Sequence, residues 1–158
     1  MTVFGKPLSE YVAFAKVILA LIAIVGIARL ALSLGGVENA TVKWLSISGA
    51  MLIGLVYFAI RVHTAGFGSY KQLLVLIVIQ SVLAQAIVIA GIVIAIFTSR
   101  DNIFSAPEYS GGGDGKTWLH AGAHLVFGVI VGSLLAWLVG SVILFVTKKA
   151  VQRDAASA

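Results

Sequence analysis

The sequence predicts an all-α, polytopic membrane protein that folds as an antiparallel bundle of four transmembrane helices. Two observations predict this fold class. First, the 158 residues are 60% hydrophobic and only 11% charged, with a mean hydropathy of +1.08, whereas soluble domains are about 45–50% apolar and about a quarter charged. Second, the apolar residues fall into four stretches, each longer than the roughly 18 residues that indicate a membrane span.

Within a single membrane domain, residues 1–158, the sequence predicts spans at residues 12–34, 44–62, 73–98 and 119–147. The first stretch lacks a signal-peptide cleavage pattern and is expected to be retained. The first two connections are short and contain glycine, so neighbouring spans should run antiparallel. The third connection, the outer loop of residues 99–118, is longer and includes three consecutive glycines. A glycine run favours a flexible loop over a folded lid.

The basic residues near the spans predict the orientation, because Lys and Arg are enriched in cytoplasmic loops. With both termini in the cytoplasm, seven basic residues lie inside and four lie outside. The inside set is Lys6, Lys16, Arg61, Lys71, Lys148, Lys149 and Arg153, and the outside set is Arg29, Lys43, Arg100 and Lys116. The sequence therefore predicts cytoplasmic N- and C-termini, with the 99–118 loop on the other side.

Composition and motifs exclude several classes of function. The formal net charge is +5, but the basic residues stand at span ends, where they contact lipid headgroups, so no nucleic-acid partner is expected. Cysteine is absent, which excludes disulfides, cysteine-ligated iron–sulfur clusters and thiol catalysis. The sequence has no phosphate-binding loop, no Ser–His–Asp set and no paired membrane carboxylates. It therefore favours a protein that is not an enzyme.

Three polar residues, Gln80, Ser81 and Gln85, lie near the middle of the third span. Lipid offers no hydrogen-bond partners, so each amide must find one inside the protein. Ser81 and Gln85 are four residues apart and share a helix face, while Gln80 points elsewhere. Two interpretations stay open: interhelical hydrogen bonds that fix the packing, or the polar lining of a substrate or quinone pocket.

The fourth span begins with His120 and His124, whose spacing places two imidazoles on one helix face, within reach of one metal ion. The zinc peptidases need a Glu directly after the first His, and Ala121 stands there, so their reaction is not supported. A closed zinc or copper site wants about four ligands. Glu108 or Asp114 in the preceding loop, or a second subunit, would have to supply the others.

Haem and proton chemistry are further interpretations of the same pair. His63 ends the second span, which the predicted topology places on the opposite side of the bilayer from His120 and His124. Two histidines could therefore ligate one haem only in a symmetric dimer, and a monomer would need a non-histidine second ligand. The alternatives are proton handling and interfacial histidines that hydrogen-bond the loop and the lipid headgroups.

Small residues recur along the fourth span in line with the histidine pair, at Gly128, Gly132, Ala136 and Gly140. Gly128 and Gly132 form a GxxxG pattern, which lets another helix approach closely enough for van der Waals packing. The partner helix belongs either to the same chain or to a second copy, and packing within the chain is favoured.

Three functional hypotheses follow from these features. The first is a small non-enzymatic protein of the lipid bilayer that acts through helix association, as an accessory subunit of a membrane complex or as a homo-oligomer. The second is a redox or transport component that binds a transition metal or haem at His120 and His124. The third is a small channel or transporter lined by Gln80, Ser81 and Gln85, although this span lacks a buried charge for ion or proton coupling.

Overall fold

The computed structural model describes residues 1–157 and confirms the predicted all-α class. Within these residues, four helical segments are long and apolar enough to cross a membrane. They are Leu8–Leu34, Asn39–Thr64, Tyr70–Thr98 and Trp118–Arg153. Helices suit such sequences because each residue's backbone N–H and C=O groups bond within the segment, where lipid provides no partners.

A two-stranded antiparallel hairpin precedes the helices. The elements in chain order are β1 (Thr2–Val3), β2 (Lys6–Pro7), α1 (Leu8–Leu34), α2 (Asn39–Val42), α3 (Ile47–Thr64), α4 (Tyr70–Thr98), a 3₁₀ turn (Pro107–Tyr109), α5 (Trp118–Ala123), a π-helical segment (His124–Val131) and α6 (Gly132–Ser157). The last three elements form one continuous helical span. We call the end of the molecule that carries residues 35–46 and 99–117 the loop end, and the opposite end the terminal end.

Local capping explains where two of the spans begin. The second predicted span starts at residue 44, but α3 begins only at Ile47, because the Ser46 hydroxyl accepts a hydrogen bond from the Gly49 N–H at 3.0 Å and caps the helix there. The third span begins three residues before the predicted position 73. There the Gln72 side chain accepts a hydrogen bond from the Ser69 N–H at 2.9 Å and fixes the first turn of α4.

α3 and α4 form the centre of the helical arrangement. α1 and α6 each pack against both of them. In the most apolar 18-residue stretch of each span, 39% and 33% of the residues are buried in the two central spans, against 17% in each flanking span. The outward faces of α1 and α6 are rich in exposed Val, Leu, Ile and Phe, as expected for surfaces that contact lipid.

Gln80 joins the two central helices. Its side chain is 1% exposed, and its Nε2 donates a hydrogen bond to the Met51 carbonyl of α3 at 3.3 Å. Its Oε1 lies directly against Gly54, where an added Cβ would overlap both this oxygen and Ile18. Gly54 therefore allows α4 to approach α3 closely enough for the amide bond to form.

The first part of the loop between α4 and α5 is folded against the helices, so the expectation of a flexible loop is wrong for residues 102–106. Residues 102–106 are all buried, with Asn102 and Ser105 at 0% exposure. Asn102 Nδ2 donates to the Gly91 carbonyl of α4 at 2.7 Å, and its Oδ1 accepts from the Phe104 N–H at 2.9 Å. The Ile103 N–H donates to the Ser33 hydroxyl of α1 at 2.8 Å. These bonds hold the loop over the loop end of the bundle.

We expect Asn102→Ala to release this loop. The substitution leaves the buried Phe104 N–H without its partner, at a cost of about 1–3 kcal/mol, and removes the bond to α4. Trypsin cleavage at Arg100 and Lys116, which flank the buried segment, should therefore accelerate in detergent-purified protein. Glu108→Ala, a change at an exposed position of the same loop, is the matched control. Equal cleavage rates in the two variants would contradict the assigned role of Asn102.

Candidate functional site

His120 and His124 lie side by side at the loop end, with their Nε2 atoms 3.2 Å apart and their ring centroids 4.9 Å apart. Both rings are half-buried. Local sequence sets this position, because the Thr117 hydroxyl accepts from the His120 N–H at 3.1 Å and starts α5. One helical turn then brings His124 onto the same face.

The Nδ1 atom of each ring lies within hydrogen-bond distance of an oxygen acceptor. His120 Nδ1 lies 2.8 Å from the Gly115 carbonyl oxygen, and His124 Nδ1 lies 2.8 Å from Gln85 Oε1. Since carbonyl oxygens only accept hydrogen bonds, both Nδ1 atoms carry the proton in this arrangement. In neutral rings both Nε2 atoms then present lone pairs to each other. Two such lone pairs repel unless a proton or a metal ion lies between them.

Two glycines make these contacts geometrically feasible. A Cβ at Gly128, in the π-helical segment, would overlap the Gln85 amide, so only glycine leaves room for that side chain beside His124. A Cβ at Gly115 would overlap the backbone of Ser105, so glycine lets the end of the loop pack on its buried part. The folded loop thereby places the Gly115 carbonyl over His120.

A cavity of about 250 Å³ lies beside His124. Its polar lining consists of Arg29, Ser48, Gln85, Tyr109 and His124, and its apolar lining of Ile47, Met51, Val88, Ile103 and Phe104. The loop forms one wall of this cavity. Tyr109 is tied to the α1–α3 connection, because its hydroxyl donates to the Asn39 carbonyl at 3.3 Å.

An apolar cleft of about 340 Å³ adjoins this cavity, and the two share Ser48, Met51 and Gln85. The remaining lining of the cleft is Leu52, Leu55, Gln80, Gly128, Gly132 and Ala136. The π-helical segment packs on α4, and the cleft occupies the space between this part of the fourth span and α3. π-helical turns are rare and frequently occur at functional sites.

The sequence predicted that Ser81 and Gln85 share a helix face and that Gln80 points elsewhere, but the structure groups the three residues differently. Gln80 and Gln85 both line the cleft, whereas Ser81 is buried outside its lining at 1% exposure. The Ser81 hydroxyl has no hydrogen-bond partner among the described residues. Gln80 makes an interhelical hydrogen bond to the Met51 carbonyl of α3.

The predicted additional ligands do not join the histidine pair. Within residues 1–157, no group of three or more His, Cys, Asp or Glu side chains is placed to hold a metal ion. Glu108 is exposed on the 3₁₀ turn. His63 lies in the last turn of α3, at the terminal end.

Asp114 is engaged by Lys116. Its Oδ1 accepts from the Lys116 backbone N–H at 2.9 Å and lies 3.3 Å from Lys116 Nζ, which also binds Asp101 at 2.7 Å. The hydrogen bonds from Lys116 lower the pKa of the Asp114 carboxyl. The bond to Asp101, assisted by Asp114, raises the pKa of the Lys116 ammonium. Both shifts favour the charged forms, so this network keeps its charges at neutral pH.

The small-residue stripe packs within the chain at two of its four positions. Gly128 contacts Gln85 of α4, and Gly140 contacts Leu55 of α3 and Leu73 of α4. Gly132 and Ala136, which lie between them, line the cleft.

Sequence reasoning missed three contributors to this site: Asn102, Gly115 and the position of Arg29. The first two act through tertiary contacts of a loop, for which spacing gives no signal. Arg29, which the sequence places near the end of the first span, lines the cavity under the loop. One signal in the sequence could have indicated this position of Arg29: it is a cation within a span, and the nearest acidic residues lie in the loops.

Comparison with known proteins gives no match to a protein-family model, to a characterised protein or to a solved structure.

Proposed function

We propose that this chain is a multi-pass membrane protein that binds a transition-metal ion through His120 and His124. The observation that carries the proposal is the pair of Nε2 atoms that face each other at 3.2 Å while both Nδ1 atoms are held by oxygen acceptors. Nitrogen–metal bonds are about 2.0–2.1 Å long, so two ligands of a tetrahedral ion lie about 3.3–3.4 Å apart. The separation of the two Nε2 atoms therefore matches that of two ligands of one ion.

The surroundings of the rings also fit metal ligation. A histidine that binds a metal usually donates its other ring N–H to a carbonyl or carboxylate oxygen, which fixes the tautomer and the ring orientation. The Gly115 carbonyl and Gln85 Oε1 occupy these positions. Imidazole ligands suit Zn and Cu among the common biological metals.

Two protein ligands leave at least two coordination positions open in a tetrahedral ion. Structural zinc sites are closed by four protein ligands, whereas sites with open positions exchange ligands or act on them. A half-buried site with two neutral ligands accordingly suits reversible binding and transfer of an ion better than a permanent structural role.

The other hypotheses have less support from the geometry. Two rings that face each other from one helix cannot bind opposite faces of one haem iron. Association with a second copy is not supported by the small-residue stripe, because Gly128 and Gly140 are used inside the chain. A channel along α4 would run through Gln80, whose amide is bonded to Met51. A proton shared between the two Nε2 atoms is the competing explanation that the first experiment addresses.

We further propose that both termini are cytoplasmic and that the loop end, with the histidine pair, faces the opposite side. The seven-to-four distribution of basic residues supports this orientation. The metal ion would then exchange with the non-cytoplasmic compartment.

The metal proposal predicts that purified, chelator-treated protein binds one Zn(II) or Cu(I) ion per chain. His120→Ala or His124→Ala should each weaken binding by more than the tenfold to hundredfold typical of a change next to a ligand. The measurement is calorimetric titration with Zn(II), and competition with a chromophoric chelator for Cu(I), on protein carrying no polyhistidine tag. His63→Ala at the terminal end is the matched control. If both variants bind the ion as tightly as the wild-type protein, the metal proposal is overturned and a proton shared between the two Nε2 atoms remains as the explanation.

Gln85 gives a second prediction, because its oxygen holds the Nδ1–H of His124. Gln85→Leu should weaken metal binding roughly tenfold to hundredfold. Gln85→Glu should strengthen it, since a carboxylate acceptor makes the imidazole a better ligand. Gln80→Leu, on the same helix but away from the rings, should lower the thermal stability and leave the metal affinity unchanged. The same affinity in all three variants would show that Gln85 does not support a ligand.

The orientation can be measured directly because the chain has no cysteine. Single-cysteine variants at two exposed positions, Glu108→Cys at the loop end and Lys149→Cys at the terminal end, report on the two sides. A membrane-impermeant maleimide should label the first in intact cells and the second only after permeabilisation. The reverse pattern would place the termini outside.

A further inference from the structure

Arg29 is a charged residue of α1 that has no carboxylate partner among the described residues. Its Nη1 donates to the Leu45 carbonyl at 3.2 Å, and its Cζ lies 5.4 Å from the centre of the Phe104 ring. Its Nε is buried and has no hydrogen-bond partner. Charged groups at membrane depth are costly, and they normally pair with an opposite charge or face a polar cavity.

Arg29 contributes a positive charge to the lining of the cavity, and no residue of the lining contributes a negative one. The cavity's other polar members, Ser48, Gln85, Tyr109 and His124, are neutral groups, and its lining contains no acidic residue. An oxyanion would supply the missing opposite charge. The guanidinium group suits this role because its planar set of N–H donors matches the two oxygens of a carboxylate or phosphate.

The adjoining cleft determines what the oxyanion would be attached to. Below the cavity, Leu52 and Leu55 form one wall, while Gly132 and Ala136 leave the opposite wall open. Its volume of about 340 Å³ is near the lower limit of about 300 Å³ for small-molecule sites. A cleft of this size and composition has room for one acyl chain, and it runs from the polar cavity toward the middle of the bundle.

We propose that the cavity and the cleft together bind a single-chain amphiphile, with its oxyanion head on Arg29 and its acyl chain between α3 and the fourth span. The oxyanion binds at Arg29 with or without a metal ion, although the cavity shares Gln85 and His124 with the histidine pair. The ligand class is an ionised long-chain fatty acid or a single-chain phosphate lipid, which share the head chemistry and the chain.

The test uses the full chain in nanodiscs of phosphatidylcholine, with radiolabelled palmitate as the probe and empty nanodiscs as the background. Saturable binding should compete with unlabelled palmitate or with 1-palmitoyl lysophosphatidate, and the stronger competitor identifies the preferred head. Methyl palmitate keeps the chain without the charge, and hexanoate keeps the charge with a short chain. Both should compete at least tenfold less well.

Two substitutions test the two halves of the site. Arg29→Gln should weaken binding about tenfold to hundredfold, as expected for the loss of a charged hydrogen-bond donor, while Arg29→Lys should retain most of it. Ala136→Phe should block the cleft and weaken binding without touching the charge. Arg61→Gln, an exposed position at the terminal end, removes the same formal charge and should have no effect.

The proposal is overturned if no saturable binding occurs, if methyl palmitate competes as well as palmitate, or if Arg29→Gln and Arg61→Gln bind equally. Arg29 also contacts the loop, so Arg29→Gln could fail to fold. Size-exclusion chromatography detects that failure, and the Arg29→Lys and Ala136→Phe variants then decide the outcome. Loss of palmitate binding in Ala136→Phe with Arg29→Lys unaffected supports the site, and unchanged binding in Ala136→Phe rejects it.

Discussion

The arrangement of this protein depends on how its buried polar side chains find hydrogen-bond partners, because the apolar residues that surround them supply none. Gln80 bonds to Met51, and Gln85 holds His124, so two amides of one helix connect α4 to α3 and to the fourth span. Asn102 bonds to Gly91 and ties the loop to the same helix. α4 is therefore the common support of the helices and of the loop that covers them.

This shared support explains why the histidine pair is oriented from two directions. Gln85 reaches His124 from within the bundle, and Gly115 reaches His120 from the loop. Each contact depends on a glycine. A Cβ at Gly128 would overlap the Gln85 amide, and a Cβ at Gly115 would overlap the backbone of Ser105. The geometry of the Nε2 atoms is thus a property of the folded whole and not of the i, i+4 spacing alone.

Length and composition were sufficient to predict the all-α class and four helices long and apolar enough to cross a membrane, because about 20 consecutive apolar residues have few other stable states. The same information could not locate the start of α3 or α4, which capping by Ser46 and Gln72 decides. Nor could it predict the folded loop. Residues 102–106 are held by the bonds from Asn102 to Gly91 of α4 and from Ile103 to Ser33 of α1, and local sequence patterns give no signal for such contacts.

The sequence could identify individual residues of the candidate site, but it could not show which of them contact one another. His120, His124 and Gln85 were each identifiable as polar groups that must be satisfied, but their meeting depends on helix packing and on the π-helical segment. The charges around the site also bear on what it binds. A metal ion at the histidines and the Arg29 guanidinium would place two cations around one cavity that lacks an acidic residue. Because like charges at low dielectric repel strongly, an oxyanion in that cavity would stabilise both of them.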